Sequence, residues 1–174
     1  MPTRLNIPYK SQLDNVNNPT GSCNVTSIAM ALAYLGCQPL KPEEQLADEQ
    51  LEDEMYLFML ARGLSRHSPQ DLAKLVNYYG YSDDFTSKGT IKEVQEWLAS
   101  GNPCVIHGYF TSYGHIVCLT GFDDKGFWVH DPYGEWFSQG YRTDLSGKHL
   151  HYSYDLIKRT CMPDGDFWVH FISK

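Results

Sequence analysis

Pro103-Cys104-Val105-Ile106-His107 is where this 174-residue chain switches from a helical to a strand-like pattern. Cys104–His107 is a short apolar run after a proline. Ile116-Val117-Cys118-Leu119-Thr120 and Gly126-Phe127-Trp128-Val129-His130 repeat the type, rich in β-branched and aromatic residues. Asp123-Asp124-Lys125-Gly126 lies between the last two and reads as a hairpin turn, so those neighbours run antiparallel. Phe167-Trp168-Val169-His170-Phe171-Ile172 supplies a further strand, with a short helix around Tyr154–Arg159 in the connection before it.

Upstream of Pro103 the spacing is helical. Val25, Ile28, Ala29, Leu32 and Leu35 place one apolar stripe on a helix that starts at Cys23, with Ser22 as its cap and Gly36 at its end. The stripe predicts a half-buried helix. Pro42 leads a second helix over Glu43–Arg62, ended by Gly63, whose acidic run from Glu43 to Glu54 reads as a solvated face. Ser68-Pro69 opens a third over Gln70–Tyr79, and Thr90 with Glu93 forms a capping box for a fourth over Ile91–Ser100. Leu5-Asn6-Ile7-Pro8-Tyr9 is a strand-like start, and the polar stretch through Asn15, Asn17, Asn18, Pro19 and Gly21 is loop. Helices first and strands second predict an α+β fold, an N-terminal helical part packed on a C-terminal antiparallel β-sheet. At this length, with 42% hydrophobic residues, one globular domain spans 1–174.

Composition narrows the function classes. Twenty-one acidic residues against 14 basic ones give a net charge of −7 without a Lys/Arg cluster, which argues against a nucleic-acid partner. No window approaches the length of a membrane span, and Met1–Pro8 lacks the apolar stretch of a signal peptide. The expectation is a cytoplasmic protein with no membrane partner, signal-independent export remaining open. Cys23, Cys37, Cys104, Cys118 and Cys161 are an odd set without tight spacing, so reduced thiols are expected rather than a disulfide framework. No feature indicates a cofactor, and oligomeric state is not legible.

Cys23, His115 and Asp131 are the residues that can do chemistry. A thiol opening a helix sits where unpaired N–H groups and the macrodipole, roughly half a positive charge, favour an anion. Thiols so placed can fall from about 8.5 to roughly 3.5–7.5 in pKa. His115 opens one strand and Asp131 ends the next, sixteen residues later, so an antiparallel pairing can set imidazole and carboxylate side by side. Gln12 is a candidate donor to an oxyanion, with the Cys23 backbone N–H as its partner. His107 is a rival imidazole without a suitably spaced acid after it, and reads as structural. His130 is expected on the opposite sheet face from Asp131. His149 and His151 share a face if extended, but lack a third zinc ligand. Tyr133 and Trp136 either shield a His115–Asp131 bond, line a cleft or fill core. Cys104 and Cys118 read as packed thiols, with Cys37 and Cys161 in connections.

Ile7-Pro8-Tyr9-Lys10-Ser11-Gln12, Gly21-Ser22-Cys23, Gly114-His115-Ile116-Val117 and Val129-His130-Asp131-Pro132-Tyr133-Gly134 together resemble the C39-like cysteine peptidases of the papain-like superfamily. The resemblance covers nearly the whole chain and implies a papain-like cysteine peptidase fold. It implies Cys23 as nucleophile, His115 as base and then acid, Asp131 as the residue orienting His115, and Gln12 as oxyanion donor. The implied reaction is hydrolysis of a peptide or peptide-like amide bond through a thioester, on a peptide or protein substrate such as a peptidoglycan stem peptide. Two features depart from the pattern: Asn24 stands where many relatives carry Gly, and the step from Gln12 to Cys23 is longer than in bacteriocin-leader peptidases. No attached transporter is expected, so the resemblance does not imply export-coupled leader processing. Two other functions fit the same residues, a thioester-forming acyltransferase or transpeptidase and a non-catalytic peptide-binding module.

Overall fold

Side-chain caps mark where three of the helices start. Ser68 accepts from the Asp71 amide, Thr90 from the Glu93 amide and Ser153 from the Leu156 amide, each taking an N–H that the first turn leaves unpaired. The computed structural model describes residues 3–16, 18–40, 50–112 and 114–174. Its helices are α1 (Cys23–Tyr34), α2 (Leu51–Ala61), α3 (Pro69–Tyr78), α4 (Ile91–Ala99) and α5 (Tyr154–Cys161). Residues 41–49, where the predicted second helix and its acidic face begin, lie outside the described residues, as do Asn17 and Tyr113.

The strands are β1 (Thr3–Arg4), β2 (Ser82–Thr86), β3 (Cys104–Gly108), β4 (His115–Phe122), β5 (Gly126–His130), β6 (Glu135–Phe137), β7 (Gly140–Arg142), β8 (Leu150–Ser153) and β9 (Val169–Ser173). Seven of them form an antiparallel sheet in the order β2-β9-β3-β4-β5-β8, with β1 pairing β4, while β6 and β7 make a separate hairpin. The predicted turn between β4 and β5 is present: the Asp123 carboxylate accepts from the amides of Lys125 and Gly126. Period-two alternation gives the sheet two apolar faces. Val105, Ile116, Cys118 and Ile172 pack with α1, α2 and α3, while Ile106, Val117, Leu119, Phe127 and Val169 pack with α4 and α5. Helices therefore cover both faces, and α4 leaves the N-terminal helical group for the far side. Among the described residues no helix is long and apolar enough to cross a membrane.

Several expectations need correction. Helix α1 is buried from Asn24 to Leu32 rather than along one stripe, because α2, α3 and the sheet enclose it. Its polar residues are satisfied internally: Thr26 donates to the Ser22 carbonyl and accepts from Asn15, and Ser27 donates to the Ile116 carbonyl at 3.0 Å. Ser22 precedes α1 without capping it, since its hydroxyl donates to the Asn18 carbonyl. Leu5–Tyr9 is not strand; Thr3–Arg4 is. Cys161 ends α5 instead of lying in a connection.

Glu52, Asp53 and Glu54 are buried rather than solvated. Asp53 accepts from the amides of Val16 and Gln50, and Glu54 accepts from the Leu40 amide and the Tyr79 hydroxyl. These carboxylates hold loop backbone at a helix N-terminus, where negative charge is favoured. Glu52 pairs with Lys10 at 3.3 Å; burial pushes its carboxyl up and the lysine opposes that.

Candidate active site

Three separate pieces of chain converge on one cleft. Cys23 is the first residue of α1, so its backbone N–H and those of the next residues lack intrahelical acceptors. The loop before it is held from two sides. Arg66, stacked over Tyr56, donates to the Gly21 carbonyl at 2.6 Å, and Ser22 binds back to Asn18, which adopts φ 47°. Gln12 arrives because its segment docks on the turn after β5: its backbone N–H donates to the Pro132 carbonyl at 2.9 Å, and the Tyr9 hydroxyl donates to the Asp131 carbonyl at 3.0 Å. Gln12 Nε2 donates to the Pro19 carbonyl at 3.0 Å, which leaves its second amide hydrogen available. Gln12, Cys23 and His115 all line one cavity of about 540 Å³.

His115 and Asp131 meet through a buried bond, His115 Nε2 to Asp131 Oδ1 at 2.7 Å. They are not directly opposite each other. His130 faces Cys118 across β4 and β5, and His115 faces Gly108 on β3, so the two side chains reach each other diagonally. With Nε2 committed to Asp131, Nδ1 is the ring nitrogen left for the Cys23 thiol, which interacts with this imidazole. Burial works against charging His115, but Asp131 and Cys23 together outweigh it and lift the imidazole to about 10. The ring is enclosed by Tyr141, Tyr133 and Phe110, with centroids 5.3, 6.0 and 6.1 Å away.

The Asp131 carboxylate is fully occupied. Oδ1 also accepts from the Tyr133 amide at 3.1 Å, and Oδ2 accepts from the hydroxyls of Tyr141 at 2.7 Å and Tyr152 at 2.8 Å. Burial first, and the carboxylate second, push both phenols far above their ordinary range, so they stay protonated donors. Tyr141 and Tyr152 carried no sequence signal, since each lies in a short strand with no spacing to the carboxylate. Trp136 sits on the β6–β7 hairpin beside them and donates to the Phe110 carbonyl.

The other candidates resolve into distinct roles. His130 is buried between the Ile7 carbonyl at Nε2 and the His149 amide at Nδ1; burial pulls it down to about 4. His149 packs on His130 while His151 bonds Asp123, so the two do not converge on a metal. All five cysteines are free. Cys104, Cys118, Cys37 and Cys161 are buried, and burial raises each thiol, Cys37 to about 11 and Cys161 to about 12. His107 lines the cleft and bonds His170, a partner that lies far downstream rather than within the expected spacing.

The comparisons with known proteins agree with this architecture. Over 99% of this chain and 98% of the other, the structure is similar to a double glycine motif protease from an AMS/PCAT transporter, solved with its leader peptide, at TM-score 0.58 and 19% identity. It is also similar to a Bacillus anthracis protein assigned to the C39-like peptidases, over 100% of this chain and 98% of that one, at TM-score 0.55 and 15% identity. At such identities the likeness speaks for the fold. No curated protein sequence matches the chain. The Peptidase_C39 like family model matches residues 4–162, most of the sequence, and the chain belongs to that family.

Proposed function

We propose that this chain is a cysteine peptidase that hydrolyses a peptide bond through a thioester, with Cys23, His115, Asp131 and Gln12 as its catalytic residues in one domain over 1–174. The observation that carries the reading is the buried His115–Asp131 bond at 2.7 Å, whose imidazole lies against a thiol at a helix N-terminus. In this mechanism the Cys23 thiolate attacks the scissile carbonyl carbon, and the electron pair moves to oxygen. Gln12 Nε2–H and the Cys23 backbone N–H donate to that oxyanion. Imidazolium His115 gives its proton to the leaving amine as the C–N bond breaks. Water, deprotonated by His115, then attacks the thioester and releases the acid and the free thiol. Asp131 holds the ring with Nδ1 toward sulfur and stabilises its charged form.

Membership of the family and the leader peptide held by one solved relative support a peptide substrate. Neither carries a cell-wall cross-bridge, so linear peptides are the substrates to test first. Wild type and Cys23→Ala are incubated with a mixed peptide library and the products read by mass spectrometry after acid quenching. Cleavage in wild type, an acyl adduct on Cys23 and a loss of about 10³-fold or more in the variant are expected. Cleavage that survives Cys23→Ala overturns the nucleophile. Binding without turnover in wild type replaces the reading with a peptide-binding module, and ligation to an added amine in place of hydrolysis replaces it with an acyltransferase.

A further inference from the structure

One wall of the cleft ends in a run of three side chains, two of them buried, that the hydrolytic steps do not use. His170 on β9 bonds Asp83 of β2 through Nδ1 at 2.7 Å and His107 of β3 through Nε2 at 2.8 Å. The His170 and Asp83 side chains are both 0% exposed, and among the described residues Asp83 Oδ1 has no hydrogen-bond partner. A carboxylate sealed in this way is costly unless its charge is used. Phe85 and Trp168 pack around the two imidazoles, with ring centroids 4.8 Å from Phe85 to His170 and 5.6 Å from Trp168 to His107. Of the three relay residues His107 is the one that lines the cleft, beside Trp168 and Asp164.

We propose that this wall is a subsite for a lysine or arginine side chain of the substrate, with His107 Nδ1 as its hydrogen-bond acceptor; the assignment rests on the peptidase reading above. Burial holds the His107 imidazole down to about 3, so it enters the cleft neutral. With His170 Nδ1–H as donor to the Asp83 carboxylate, its Nε2 presents a lone pair to His107. His107 then donates from its own Nε2, and its Nδ1 lone pair is the one left for the cleft. The Asp83 charge polarises both bonds in the same direction and strengthens that acceptor. Trp168 is 40% exposed and offers a π face to a cation. Asp166 is ion-paired with Lys88, while Asp164 accepts the Asp166 amide and keeps its carboxylate exposed on the rim. Arg66 also lines the cleft, where it donates to the Gly21 carbonyl and stacks over Tyr56.

The test measures binding to Cys23→Ala protein, so that turnover plays no part. Synthetic peptides carry lysine, arginine or norleucine at each position in turn, and dissociation constants are read by titration calorimetry. At one position lysine and arginine bind about tenfold tighter than norleucine. Asp164→Asn, Trp168→Ala and His107→Phe, each made in the Cys23→Ala background, shrink that preference by about threefold or more. Should His107→Phe fail to fold, the two exposed variants decide the matter. Absence of any lysine-over-norleucine preference, or a preference untouched by all variants that fold, overturns the subsite. Peptides that bind in this way but are never cut by wild type would instead count against the peptidase reading alone.

Discussion

Asp131 does more than hold one ring. Its carboxylate takes donors from His115, the Tyr133 amide, Tyr141 and Tyr152, which fills the acceptor sites of two oxygens. A hydrogen bond to a charged acceptor is worth about 1.5–3 kcal/mol when the alternative is an empty site. Tyr141→Phe and Tyr152→Phe are each expected to lower kcat about tenfold with KM little changed, since neither hydroxyl faces the cleft. Steady-state kinetics check this, and a change confined to KM contradicts it. Cys23, His115 and Asp131 were legible because a helix start and two strand ends each leave a local mark. Tyr141, Tyr152 and the Asp83–His170–His107 relay were not, because their partners lie on distant strands and their own neighbours carry no pattern. Glu52, Asp53 and Glu54 misled for the converse reason: charge reads as solvent exposure until the partners that occupy it, Lys10 for Glu52 and loop amides for Asp53 and Glu54, are known.

Short elements set the precision of the site. The β6–β7 hairpin lays Tyr141 over the His115–Asp131 bond, and Gly134 starts it at φ 124°, where an added Cβ would stand 2.6 Å from the Arg142 carbonyl oxygen. Gly134→Ala is expected to cost about 1–3 kcal/mol and to reduce kcat with the Tyr141 contact. Thermal unfolding and kinetics on the same sample test both halves. Ser27 ties α1 to β4 through the Ile116 carbonyl, one turn beyond Cys23 and one residue beyond His115. Ser27→Ala should cost about 1–2 kcal/mol by leaving that carbonyl unpaired, measured as the denaturant midpoint at unchanged slope. Long apolar periodicity and capping residues made the helices and the central strands readable. Ser82–Thr86, Glu135–Phe137, Gly140–Arg142 and Leu150–Ser153 escaped because they are short and partly exposed, so pairing rather than hydrophobicity holds them.

The buried histidines pull the stability of the whole molecule in opposite directions with pH. His107 and His130 are held down to about 3 and about 4, below the ordinary 6.5, so unfolding takes up protons and stability rises with pH through that window. His115 is held up to about 10, so its contribution is complete below 6.5 and is lost as pH climbs toward 10. The melting temperature of wild type should peak near pH 6.5, and His115→Ala should flatten the decline between pH 6.5 and 9. A wild-type melting temperature that rises across that interval contradicts the charge assigned to His115. The fold's central consequence is that it carries a thiol from a helix to an imidazole on a sheet, and alkylation reports that meeting without any knowledge of substrate. Iodoacetamide labelling of all five cysteines is followed by mass spectrometry from pH 5 to 9, in wild type and His115→Ala. Cys23 alone is expected to react rapidly near pH 6 and to lose that reactivity without His115. Cys23 reacting no faster at pH 6 than the buried thiols, or equally fast without His115, would contradict it.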